Sequence, residues 1–184
     1  MSLPPKTPPV GNGPRVETIP EGDDRARLMC PDCGFIHYEN PKMIVGAVVR
    51  WDDRILLCRR AIAPRLGYWT LPAGYLELNE APEEGARREA WEEACAKIEI
   101  TSLLAVYDIP RLSQVQLIYR ARLLDEAVKP GAESQAVALF EWGEIPWSEI
   151  AFPTVRWALR HDRELGDTEI FTPRTNPQGE TDLT

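Results

Sequence analysis

Several things are scarce in this chain, and each scarcity excludes something. Four cysteines among 184 residues, at positions 30, 33, 58 and 95, are too few and too irregular for a disulfide framework. A reduced, intracellular setting, the cytoplasm, is the expectation. Histidine occurs only as His37 and His161, and neither is near Cys95 in the sequence. That argues against a cysteine–histidine nucleophile. Positive charge is also short: 21 Lys and Arg face 29 Asp and Glu, a net charge of −8. Neutralising a phosphate backbone needs a cationic surface, so nucleic acid is not the expected partner. No stretch approaches the roughly 20 unbroken apolar residues of a membrane-spanning helix, so no membrane partner is expected either. The opening MSLPPKTPPV has no apolar core of a signal peptide and reads as a flexible leader.

What is present suffices for one compact domain and a small appendage, with 43% apolar and 27% charged residues. Residues 1–41 hold 8 of the 17 prolines and one Cys-x-x-Cys pair, so they read as a short irregular module. From Lys42 the texture changes, and a single domain is expected over 42–167, followed by a polar tail over 168–184. Met43 to Val49 and Ile55 to Cys58 are apolar and β-rich around the turn-like Asp52-Asp53, which predicts a hairpin. Tyr68 to Leu78 is a third extended segment, and further strands are expected at 97–109, 115–124 and 136–142. A helix is predicted between Asn79 and Ala96, with Asn79 as N-cap, Pro82 in the first turn and small residues that allow close approach to a sheet. A second, amphipathic helix is predicted over roughly Phe152 to Leu165, with Val155, Trp157 and Leu159 inward. The tail from Thr172 is expected to fray. The class is α+β, with strands outnumbering helices.

Charge is concentrated in 74–96, whose seven glutamates and two arginines contribute −5 of the −8. Glu89, Glu92 and Glu93 are spaced three and four apart, which puts three carboxylates on one helical face. Unpaired, such neighbours destabilise a helix by about a few tenths of a kcal/mol per pair. A hard cation removes that penalty, and Mg²⁺ suits because it combines a few carboxylates with waters and substrate phosphates. A solvated acidic face is the ordinary alternative for three glutamates on a helix.

The surrounding pattern favours the cation. Gly74, five residues, Glu80, seven residues, Arg88-Glu89, a small residue, Trp91 and Glu92-Glu93 resembles the Nudix box, and Gly67 to Gly74 resembles the usual approach to it. The likeness runs from about Val45 to Trp157. It implies an α/β/α sandwich with a mixed sheet and an enzyme that hydrolyses a nucleoside diphosphate linked to another moiety, using Mg²⁺ or Mn²⁺. By that resemblance Glu89, Glu92 and Glu93 ligate metal, Glu92 takes part in catalysis, and the backbone carbonyl of Ala73 adds a ligand. Glu80 acts through a salt bridge or the outer shell, and Arg88 orients the carboxylates. In one position the box departs from the family: its late glycine is Cys95. A left-handed conformation there costs a non-glycine residue about 1–2 kcal/mol, so the helix is expected to end differently.

Glu133, in the loop before the last strand, is the choice for an additional ligand or base; a solvated loop residue is the alternative. Arg59 and Arg60 are adjacent on a strand, so one at most faces substrate phosphate, and Arg59 is the candidate. Pro110, fifteen residues past Cys95, resembles the ADP-ribose pyrophosphatase subgroup, and Tyr68, Trp69 or Tyr107 could stack a flavin or adenine ring, with a place in the core as the ordinary reading of each isolated aromatic. Cys30-Pro31-Asp32-Cys33 resembles one knuckle of the zinc ribbon that precedes some Nudix domains acting on FAD or ADP-ribose. The companion pair would fall near Pro9 to Asn12, where there is no cysteine. His37 offers a third ligand and a fourth is not evident. A ribbon fold without tight zinc is therefore expected, with zinc held by Cys30, Cys33 and unusual or intermolecular partners as the alternative. The resemblance implies FAD or ADP-ribose hydrolysed to AMP, and a homodimer. NADH or dinucleoside polyphosphates are alternative substrates, and a non-catalytic nucleotide sensor is the alternative from another class.

Overall fold

A computed structural model describes residues 13–179. Residues 1–12, including the Pro9–Asn12 stretch, lie outside them, as do residues 180–184. Two compact units divide between Asn40 and Pro41. The first is a three-stranded antiparallel sheet of β1 (Val16–Thr18), β2 (Arg27–Met29) and β3 (Ile36–His37). The Cys-x-x-Cys turn joins β2 to β3. It closes where the Cys30 N–H donates to Phe35 at 2.8 Å and the Gly34 N–H donates back to Cys30 at 2.8 Å.

The second unit is built on a mixed sheet. Its strands are β4 (Lys42–Trp51), β5 (Arg54–Arg60), β6 (Trp69–Thr70), β7 (Ala73–Tyr75), β8 (Ile98–Ile109), β9 (Gln114–Leu123) and β10 (Ser134–Glu141). The main path runs β10-β5-β4-β9-β8, with β6 on β5 and β7 on β4. The β4–β9 pair is parallel and the others are antiparallel. The hairpin read at 43–58 forms, but its strands pair only at Arg50–Ile55 and Trp51–Arg54. Beyond that they splay. The third extended segment breaks at Leu71-Pro72 and fills the wedge, β6 pairing β5 and β7 pairing β4. The wedge brings Ala73 and Gly74 to the open end of the sheet.

Alternation along β4 and β5 sorts the core onto two faces. Val45, Ala47, Val49, Leu56 and Cys58 pack under α1 (Pro82–Ala94), whose Gly85, Ala86, Ala90 and Ala94 are buried. Val48, Ile55 and Leu57 face the other way, under α2 (Pro153–Leu165), where Val155, Trp157 and Leu159 are buried as expected. The result is an α/β/α sandwich.

Four details differ from the sequence expectation. Asn79 is no N-cap: it sits at φ 65°, the helix begins after Ala81, and the Ala81 N–H is held by the Glu84 carboxylate at 3.2 Å. Cys95 does not let the helix end differently. It adopts the left-handed conformation itself, at φ 49° and ψ 26°, and its N–H donates to Trp91 while that of Ala96 reaches Ala90. The tail does not fray at Thr172. Arg174 pairs by its backbone with Leu104 and Val106, and the Asn176 amide holds both backbone groups of Asp108. Finally, α2 carries a fully buried carboxylate that its amphipathic pattern does not announce. Asp162 accepts from Arg50 of β4 and Arg120 of β9, both at 2.8 Å, and the Arg120 guanidinium also holds the carbonyls of Gly166 and Thr168.

Two stability predictions follow from these sites. Removing the carboxylate leaves two partly buried arginines without their shared partner, so Asp162→Ala should cost about 3 kcal/mol in urea unfolding. Cys95→Gly should instead raise stability by about 1 kcal/mol, read as a higher urea midpoint at unchanged slope.

Candidate active site

The site grows from α1 and the loops around it. Gly74 leaves room for the Glu89 carboxylate, which a Cβ there would meet at 2.5 Å and displace. The loop before β10 docks on the other end of the helix: the Lys129 N–H donates to Ala94 and the Gly131 N–H donates to Glu93 at 3.0 Å. Gly131 passes so close to the Glu92 carbonyl that a side chain would collide with it. This docking brings Glu133 to the same cleft as Glu89, Glu92 and Glu93. The cleft encloses about 910 Å³, within the range of small-molecule sites.

One arginine organises the acidic end. The Arg88 guanidinium makes a forked pair with Glu80 at 2.8 and 3.0 Å and donates to Glu89 at 2.7 Å, Glu92 at 2.8 Å and the Tyr75 carbonyl at 2.9 Å. Hydrogen bonds from Arg88 hold the Glu80 carboxyl below its usual range, and those same bonds raise the arginine further above its own. Glu93 has no such partner. It is 6% exposed, and burial pushes its carboxyl up to about 8, with the neighbouring Glu89 charge adding. An N–H from Ala73 at 3.3 Å and the charge of Arg60 work in the opposite sense. Glu89 is also raised, again mainly by burial and against the pull of Arg88.

An all-carboxylate donor set, two members half-starved of water, is what a hard divalent cation takes. Among the described residues no three of His, Cys, Asp and Glu stand grouped to hold a metal as placed. At the acidic end the reason is visible: Arg88 bridges Glu89 and Glu92. In the N-terminal unit Cys30 is buried, Cys33 is exposed, and His37 lies beside Glu39 at 3.6 Å rather than completing a set with the cysteines.

The remaining candidates separate cleanly. Arg59 does not reach the cleft; its guanidinium donates to the Gly67 carbonyl at 2.8 Å. Arg60, one residue on and on the opposite face, does line it, stacked over the Phe152 ring at 5.2 Å. Tyr107 is fully buried, packed on Trp157 and sharing a 2.7 Å hydrogen bond with His161, so it cannot stack a substrate ring. Trp69 packs on Phe140, the Tyr68 ring lies under Arg65, and neither lines the cleft. Pro110 opens a single 3-10 turn, Pro110–Leu112, and is exposed; its neighbours Ile109, Arg111 and Leu112 line the cleft instead. Sequence reading passed over Gln114, Gln116 and Thr154, which also line it. The clue was available in β9, where Gln114 and Gln116 share a face with the buried Ile118.

Comparison with known proteins fits this geometry. The pattern of the NUDIX domain family matches residues 40–158, and the Nudix N-terminal zinc-ribbon pattern matches residues 12–39. The chain belongs to the NUDIX domain family. A crystal structure of a NUDIX hydrolase from Nitrosomonas europaea is 48% identical, with a TM-score of 0.82 over 87% of this chain and 91% of that one. A MutT-like protein of Streptomyces ambofaciens is 40% identical over 95 residues, 52% of this chain. An ADP-ribose pyrophosphatase of Methanocaldococcus jannaschii is 28% identical over 113 residues, 59% of this chain. The matches span 60% and 67% of those two proteins.

The raised Glu93 carboxyl predicts a pH effect in metal-free protein. Its folded form holds a proton that the unfolded chain releases near 4.5. The stability from that proton is therefore complete below about 4.5 and lost as pH rises through about 8. Thermal unfolding in EDTA should show Glu93→Gln overtaking the wild type steadily across this window. A constant gap between the two would contradict the assignment.

Proposed function

We propose that the chain is a divalent-metal-dependent pyrophosphohydrolase that cleaves a nucleoside diphosphate linked to a second moiety, with ADP-ribose or FAD as substrate and AMP as one product. The observation that carries the reading is the gathering of Glu89, Glu92, Glu93 and Glu133 at one end of a cleft large enough for such a molecule. Support comes from the family membership and from the relative named for ADP-ribose. Glu89, Glu92 and Glu93, with the Ala73 carbonyl, would hold Mg²⁺ or Mn²⁺. The bound cations would neutralise the diphosphate and acidify a water.

The chain's own groups do the rest. Arg88 and Glu80 are positioning residues that fix the carboxylates, and Arg60 offers a positive charge to a phosphate at the cleft wall. Glu133 takes the proton as a water oxygen forms its bond to phosphorus and the bridging P–O bond breaks. With ADP-ribose this yields AMP and ribose 5-phosphate. We propose further that residues 1–41 form a zinc-ribbon-like unit that binds no zinc tightly.

The test is product analysis with purified protein, Mg²⁺ and ADP-ribose or FAD. AMP should appear only with the metal present. Glu93→Gln should lower kcat by more than about a hundredfold, because even outer partners of metal ligands are worth about 10–100-fold. Its thermal stability at pH 7 should not fall. Full turnover in that variant would overturn the site assignment.

A further inference from the structure

Gln114 and Gln116 stand two apart on β9, so their amides project from one face. Both line the cleft and both are half-buried. Neither side chain has a hydrogen-bond partner among the described residues. A half-buried amide with no protein partner gains from a ligand that supplies one.

Strand register fixes the surroundings. Gln116 is opposite Ile44, and Ile44 is opposite Tyr75, so the three form one row across β9, β4 and β7. Neighbouring strands are about 4.8 Å apart, which separates Gln116 from Tyr75 by about 10 Å with Ile44 as the floor. The Tyr75 ring is 50% exposed at the far side. The three residues of this row carry no formal charge, and the one cation against it is Lys42, opposite Gln114, whose ammonium lies 5.5 Å over the Tyr75 ring. Two residues back along β7 is Ala73, whose N–H holds the Glu93 carboxylate. The uncharged row and the acidic end are therefore about 7 Å apart along one strand, as compartments of one cleft.

The geometry points to a nucleobase subsite, in which the amides of Gln116 and Gln114 read the hydrogen-bonding edge of the purine of the substrate's nucleoside diphosphate. This rests on the hydrolase reading above and adds which half of the substrate lies where. A primary amide sets one acceptor beside one donor, matching the adjacent amine and ring nitrogen of adenine. Ile44 offers apolar area to the base, and the ribose 5-phosphate half has no planar edge to match the amides.

The half-molecules separate the possibilities. Calorimetric binding of AMP, ribose 5-phosphate and FMN would be measured for the wild type, Gln116→Leu, Gln116→Glu and Gln114→Leu, with equal thermal unfolding as the folding control. AMP should bind the wild type and weaken about tenfold in both Gln116 variants, as losing one bidentate base contact predicts. Gln114→Leu should weaken AMP in the same direction, and ribose 5-phosphate should bind all four proteins alike. Failure of AMP to bind, unchanged AMP affinity in the variants, or selective loss of ribose 5-phosphate or FMN would overturn the proposal. Loss of AMP affinity in the variants with no wild-type turnover of any diphosphate would sink the hydrolase reading and leave the base subsite standing. Turnover with unchanged AMP affinity would do the reverse.

Discussion

Carboxylates crowded on one helical turn and pressed against a sheet are the condition to which the rest of the second unit is fitted. Placing Glu89 and Glu93 in near-dry surroundings disfavours their charged forms, and neighbouring carboxylates add to that, Glu89 acting on Glu93 and Glu92 on Glu89. A helix so loaded stays in place only because its other surfaces are favourable. Gly85, Ala86, Ala90 and Ala94 let the backbone sit close under β4, where apolar burial is dense. Arg88 then joins Glu80, Glu89, Glu92 and the Tyr75 carbonyl through one rigid guanidinium. Lysine could not make that set of contacts, since its single ammonium lacks the planar fork.

The same economy shows in how the cleft is opened. A fully zipped β4–β5 hairpin would leave no room at the sheet's end. By pairing at two positions and then splaying, the hairpin admits β6 and β7, and these bring Ala73 and Gly74 to the helix. The facing wall comes from the loop that docks through Gly131 onto the end of α1. The first turn of α2 adds Pro153, Thr154 and Val155 to the lining. That helix is anchored on the opposite face by Asp162 between Arg50 and Arg120, so the sheet is held from both sides at different ends.

Local patterns in the sequence carried most of the elements and the acidic triad, because these depend on spacing along one helix or alternation along one strand. Val155, Trp157 and Leu159 follow an amphipathic period, and Glu89, Glu92 and Glu93 follow a helical one. What escaped depends on pairing between distant segments. Tyr107 looked available for stacking until β8 placed it beneath Trp157. Arg59 and Arg60 could be told apart only once the facing of β5 was known. Nothing in the amphipathic pattern singles out Asp162, and only the neighbouring β4 and β9 supply its arginines. Cys95 is a different case: its sequence position signalled a strained turn, and the open question was whether the backbone or the residue would yield.

On the proposed reading, the two compartments of the cleft explain why metal and substrate binding must be linked. A diphosphate entering the acidic end alone would meet Glu89, Glu92, Glu93 and Glu133 as like charges, against Arg60 and Arg111 on the wall and an Arg88 already engaged by Glu80, Glu89 and Glu92. Cations entering alone must draw protons from carboxyls that burial has made reluctant to ionise, and must take Glu89 and Glu92 from Arg88. Each step is unfavourable without the other, and together they cancel most of the opposing charge. The uncharged row at Ile44 and Gln116 has no part in that balance. It can hold one end of a ligand whatever the ionic state of the acidic end, which leaves affinity for the base and reactivity at phosphorus under separate sets of residues.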